Sequence, residues 1–98
     1  MKFLVWAKPL PGAPAFEDPL TAFRAAQKYL ESNLKSGKLD CAFQTMGGGG
    51  IAIANADSAE ELWQDLLSYP LSSRLTYHVE PVADAIKALE IAVKGLPG

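Results

Sequence analysis

The chain has 98 residues, the length of one domain, and its 49% hydrophobic and 20% charged content excludes intrinsic disorder, because enough apolar surface exists to offset the entropy of ordering. A net charge of −2 with no basic run argues against nucleic acid as the main partner. The single cysteine, Cys41, rules out an internal disulfide and suits a reducing compartment; the apolar run near the N-terminus is too short for a signal peptide or a membrane span, so no membrane partner is expected and the expected location is cytoplasmic.

Residues 3–7 predict a strand, large and apolar on both faces, closed by Pro9 and the Pro11-Gly12 pair. Residues 9–18, rich in Pro, Gly and Ala, form a loop that is long for a compact domain, the kind used as a lid or an interface segment. Asp18-Pro19 starts a helix, since Asp caps free N–H groups and Pro suits the first helical position. Leu20, Phe23, Ala26 (or Gln27), Leu30 and Leu34 make its apolar stripe, Lys35 suits its last turn and Gly37 stops it.

Residues 39–46 predict a second strand, with Cys41, Phe43 and Thr45 on one side and Asp40, Ala42, Gln44 and Met46 on the other. Four glycines, 47–50, join it to a third strand at 51–55 as an antiparallel hairpin. Ser58 and Glu61 form a capping box that opens a second helix, with Leu62, Leu66 and Tyr69 on one face and Pro70 as its limit. Residues 74–80 read as a fourth strand: Leu75, Tyr77 and Val79 share one face, Thr76, His78 and Glu80 the other. Pro81 is expected to open a last helix, with Val82, Ile86, Leu89 and Val93 in register and Gly95 ending it.

Strand, helix, strand, strand, helix, strand with right-handed crossovers is an α+β, ferredoxin-like βαββαβ order with an additional C-terminal helix. It implies one domain over residues 1–98 and a four-stranded antiparallel sheet carrying both main helices on one face. The other face is largely apolar, so a partner sheet or the last helix should cover it, and a homo-oligomer, a dimer or larger, is expected.

The run Ser58-Ala59-Glu60-Glu61-Leu62-Trp63-Gln64-Asp65-Leu66-Leu67-Ser68-Tyr69-Pro70-Leu71, followed by a strand through Val79, resembles the second half of the muconolactone isomerase family. The resemblance implies a ferredoxin-like subunit assembled as a dimeric α+β barrel or a larger ring. It also implies proton shuttling within a small unsaturated lactone, without metal or organic cofactor. That chemistry needs a base and an acid; the resemblance places a carboxylate on the first helix and a histidine near the hairpin. Here the helix reads Ala25-Ala26-Gln27-Lys28-Tyr29 and the turn Gly47-Gly48-Gly49-Gly50, with neither residue type.

His78 is the only histidine, so no histidine cluster can bind a metal; Glu80, two residues on and on the same face, can bias its protonation. The pair reads either as an acid/base or as a half-exposed strand histidine with its neighbour. Tyr77 and Tyr69 are proton donors to a ligand oxygen or core filler with hydroxyls at the surface. Trp6 and Trp63 line an apolar pocket or pack. Lys8, Gln44 and Arg74 can orient a carboxylate or carbonyl, or are solvated edges. Cys41, with only Lys38 nearby as positive charge, reads as a small hydrophobe. The glycine run lacks the Lys-Ser/Thr of a phosphate loop and leads into a strand, so it is a turn.

The expected site is therefore catalytic His78 and Tyr77, with Trp6, Gln44 and Arg74 contacting ligand, and no cofactor or metal. Two functions fit: a cofactor-independent isomerase acting by proton transfer on a small oxygenated metabolite, or a non-catalytic oligomeric module that binds a ligand or a protein.

Overall fold

The central strand β1, Lys2–Pro9, buries alternate residues: Phe3 and Val5 are 6% and 5% exposed, while Lys2, Trp6 and Lys8 face the opposite way. The computed structural model of the protein describes residues 1–98. Helix α1, Pro19–Ser36, starts where Asp18 accepts the Thr21 N–H at 3.1 Å and the Thr21 hydroxyl at 2.7 Å, with Pro at the first helical position. It ends at Gly37, which takes the left-handed conformation that favours glycine.

Strands β2, Leu39–Gln44, and β3, Gly50–Asn55, form the hairpin, with a bulge between Leu39 and Cys41. β2 stops two residues earlier than the sequence suggests. The Thr45 N–H donates to Gly49 O at 2.9 Å and the Gly48 N–H to Thr45 O at 3.1 Å, so Thr45 and Met46 belong to the turn. Gly49 must be glycine, because a Cβ there would stand 2.0 Å from the Ala7 carbonyl oxygen.

Helix α2, Ala59–Ser68, opens on the capping box: the Glu61 N–H donates to Ser58 Oγ at 3.1 Å, and the Glu61 carboxylate accepts the Asp57 N–H at 2.8 Å, one residue before the cap. Tyr69, next to Pro70, is extended and ends the helix. A single 3-10 turn, Ser72–Arg74, leads into β4, Leu75–Val82. Arg74 thus lies in the turn, not in the strand.

Pro81 does not open the last helix. It pairs with Phe3, and Val82 with Lys2, inside β4. β4 is an edge strand, where a missing N–H costs no ladder bond. Helix α3, Ala85–Lys94, starts instead at Asp84, whose carboxylate accepts the Lys87 N–H at 3.0 Å.

The sheet order is β2-β3-β1-β4 and every pair is antiparallel, which is the ferredoxin-like arrangement. Leu62 of α2 closes on Phe3, Val5, Ala54 and Ala56, with Leu39, Leu66, Tyr77 and Val79 beside them. Only 7 of 98 residues are buried, so this core is thin for the domain's size.

The registers place Leu4, Trp6, Cys41, Phe43, Ile51 and Ile53 together on the far face of the sheet. The last helix leaves that face open. Its Ile86 and Leu89 are 71% and 65% exposed, and the molecule is 62 Å along its longest axis because α3 projects. No helix is long and apolar enough to cross a membrane.

Candidate functional site

The alternation along the strands gives the sheet two concavities of different character. On the helix side, α1 and α2 stand over the inward residues of the sheet and leave an open cleft of about 690 Å³. Small residues make the room: Ala7, Ala42, Ala52, Ala54 and Gly50 form its floor, while Phe16, Phe23 and Leu30 form part of its wall. A mostly apolar cleft of this size with a few polar groups is the form of a small-molecule site.

Three tyrosines line the cleft: Tyr29 from α1, Tyr69 from the end of α2 and Tyr77 from β4. Tyr29 donates to Asp65 O at 2.5 Å and its ring lies 5.3 Å from that of Tyr69. The Tyr77 hydroxyl meets Ser72 Oγ at 3.1 Å. Burial pushes all three phenols above their ordinary pKa of 10.0, with Asp65 adding to the effect at Tyr29 and Tyr77 at Tyr69. At neutral pH they are proton-bearing donors.

Charge enters the cleft at two places. Lys38 pairs with Asp65 at 3.2 Å. Arg74 lies over the Phe16 ring at 3.7 Å and donates one N–H to Ala15 O at 3.3 Å, and Phe16 in turn meets Phe23 edge-on at 5.2 Å. These contacts dock the long loop, residues 10–18, against the turn before β4.

On the opposite face, Trp6, Lys8, Thr76, Tyr77 and His78 border a shallower depression of about 320 Å³. Trp6 is the cross-strand neighbour of His78. His78 Nε2 lies 2.7 Å from Glu80 Oε1, both side chains being more than half exposed, and the Lys8 ammonium sits 4.6 Å from the Trp6 ring centre.

The five residues singled out from sequence therefore divide. Gln44, Arg74 and Tyr77 line the cleft; Trp6 and His78 share the depression behind it, and Tyr77 alone borders both. Sequence reasoning missed Tyr29, Asp65 and Phe16. Tyr29 carries a legible signal, lying three residues after Ala26 on the inward face of its helix. Phe16 carries none, because its place depends on a loop docking across the fold. No three His, Cys, Asp or Glu side chains gather to hold a metal.

The protein is an α+β subunit with a four-stranded antiparallel sheet and an open, mostly apolar cleft on its helix side. Among solved structures, the chain is similar to 5-chloro-2-hydroxyhydroquinone dehydrochlorinase from Burkholderia phenoliruptrix AC1100, solved in complex with 2,5-dihydroxybenzoquinone. The TM-score is 0.70 at 23% identity, over 89% of this chain and 98% of that one. It is also similar to muconolactone isomerase, with a TM-score of 0.69 at 17% identity, over 86% of this chain and 90% of that one. At these identities the likeness establishes the fold. No protein-family model matches the sequence, and no curated protein matches it.

Proposed function

We propose that the helix-side cleft binds a small, flat, oxygenated metabolite and that the protein is a cofactor-independent enzyme acting on it by proton transfer, as an isomerase does. The observation that carries this reading is the 690 Å³ cleft, apolar over most of its wall and equipped with three phenols, three amides and one guanidinium. The two structural neighbours support it: one holds a flat quinone, and the other is named for isomerising a lactone.

Tyr77 would donate a hydrogen bond or proton to a ligand oxygen, since burial keeps its phenol protonated. Gln44 and Arg74 would orient the ligand. Asp65 is the only carboxylate on the cleft, and Lys38 pairs with it at 3.2 Å. His78, paired with Glu80, would act as an acid/base only on a ligand in the outer depression, where Trp6 supplies the apolar wall.

Titration with 2,5-dihydroxybenzoquinone, followed by amide shifts, tests the cleft. Shifts at Tyr77, Gln44 and Arg74 are expected; shifts confined to the outer face would move the site there, and none at all would end the reading. If a substrate is found, unchanged turnover in His78→Ala removes the histidine from the chemistry.

A second reading is a non-catalytic oligomeric module that binds a ligand or a protein. It is favoured by one observation: the cleft holds no histidine and its single carboxylate is already paired. Tight binding of cleft ligands without turnover of any would select it.

In either reading the protein works as a homo-oligomer, in the reducing cytoplasm that Cys41 suits. The chain exposes 7300 Å², whereas a compact 10.5 kDa monomer exposes about 5400 Å². That excess is larger than the roughly 800 Å² each partner contributes to a standard interface. The apolar outer sheet face and α3 account for where a second copy would sit.

A further inference from the structure

We infer that residues 11–17 are a hinged strap along one wall of the cleft, that Arg74 is the latch holding it shut, and that a ligand in the cleft stabilises the latched state; the ligand half of this inference rests on the cleft being the ligand site. The strap is fastened at its two ends. Pro9 still pairs with Leu75 in the sheet, the Leu10 N–H donates to Arg74 O at 2.8 Å, and Asp18 caps α1. No backbone–backbone hydrogen bond ties residues 11–17 to the rest of the fold; the Ala13 N–H reaches only Leu10 O, at 3.3 Å.

The polar and aromatic contacts of the strap's middle converge on one side chain. Arg74 donates to Ala15 O at 3.3 Å, and its guanidinium lies 3.7 Å from the centre of the Phe16 ring. Beyond it, Phe16 meets Phe23 edge-on at 5.2 Å. Pro11, Gly12, Pro14, Ala15 and Glu17 are exposed, and only Ala13 and Phe16 are half-buried. A segment with so few hydrogen bonds and buried contacts opens well below the free energy of global unfolding. The sequence also stiffens it. Pro11 and Pro14 fix their own φ and restrict the residue before each, so bending concentrates at Gly12, with its φ of 77°.

Phe16 belongs to the cleft wall only while the strap is latched. A flat ligand against that ring therefore gains a contact in the latched state alone, and a ligand shifts a two-state element by the difference in its affinity for the two states. A fixed loop and a latched strap differ in what Arg74 does before any ligand arrives: only the strap is released when Arg74 is lost.

The experiment is native-state cleavage of the whole protein by thermolysin at the Ala15–Phe16 bond, located by mass spectrometry. Wild type, Arg74→Gln and Arg74→Lys are compared, each with and without 2,5-dihydroxybenzoquinone, and thermal melts confirm that each is folded. Cleavage of a transiently opened segment tracks its open population when closing is fast. Arg74→Gln is expected to be cut at this bond roughly tenfold faster than wild type, the order that loss of one cation–π contact and one hydrogen bond permits, with cutting elsewhere unchanged. Arg74→Lys keeps the charge but not the planar stack, is expected to fall between, and carries the comparison if the glutamine variant does not fold. Saturating quinone is expected to slow the wild-type cut several-fold. Equal rates in wild type and variants, or a rise shared by every cleavage site, overturn Arg74 as the latch. Quinone that shifts cleft amides but leaves the cut unchanged overturns the ligand half while leaving the cleft as a site. Quinone that shifts no amide brings down the cleft reading and the ligand half with it, and the latch then stands or falls on the ligand-free rates.

Discussion

The two faces of the sheet are built from the same strands, yet they carry different fates. Toward the helices, Phe3, Val5 and Ala54 are buried, and the cleft opens over Ala7, Ala42 and Ala52. On the far side, Trp6, Phe43 and Ile51 stay exposed, and His78 and Glu80 face water. Period-two alternation makes both faces apolar near the centre; only the helices decide which of them is interior. The near face then stabilises the single chain, while the far face leaves its apolar residues exposed.

The largest test of that contrast compares Phe3→Ala with Phe43→Ala. Deleting a buried phenylalanine ring costs about 3–5 kcal/mol, a large share of the roughly 5–15 kcal/mol that holds a domain. Phe43 is 69% exposed, so its removal should change the unfolding free energy of the dilute single chain by about 0.5 kcal/mol or less. Urea unfolding at low concentration measures both, and equal losses would erase the distinction between the faces.

Next in size is an assembly effect. Ile51→Lys puts a charge at the centre of the far face, beside Trp6 in the β1–β3 register. The mass in solution is expected to fall toward that of one chain while circular dichroism is unchanged. A wild-type mass of one chain would remove the proposed homo-oligomer, and a larger mass unmoved by this change would place the contact elsewhere, with α3 as the next surface to disrupt.

The near face should also show itself through pH. Tyr29, Tyr69 and Tyr77 hold their protons more tightly when folded, chiefly because burial disfavours the phenolate. Their contribution is complete below the unfolded value of 10.0 and is lost as pH rises through the higher folded values. Stability should be flat in this respect up to about pH 10 and decline above it, and Tyr77→Phe should soften the decline. The same variant loses the bond to Ser72 and is expected to cost about 1 kcal/mol at neutral pH. An alkaline limb identical to wild type would mean that Tyr77 is solvated.

The smallest effect belongs to the far side. His78→Ala should shift the stability of the single chain by no more than about 0.5 kcal/mol, because exposed pairs contribute little. A loss comparable to that of Phe3→Ala would show the pair to be buried rather than exposed.

Much of the scaffold was legible residue by residue. Asp18-Pro19, Gly37, the Ser58/Glu61 box and Pro70 each act through hydrogen bonds or sterics within a few residues, so the ends of α1 and α2 follow from the text of the chain. Pro81 misled because its first-turn preference is equally compatible with an edge strand, and the strand's partner, β1, lies about eighty residues away. The site was legible only in halves. The alternation of Tyr77 and His78 already separated them onto opposite faces, but nothing local could say that both faces would be concave.

By itself, then, the sequence determined the order of elements, the caps of α1 and α2 and which residues share a face, because those depend on backbone geometry and on neighbours one helical turn or one strand pleat away. The tertiary structure alone decided that Phe16 would hold Arg74, that Tyr29 would reach Asp65, and that α3 would leave the sheet uncovered. Those outcomes come from segments meeting across tens of residues, where packing of whole elements outweighs any local preference.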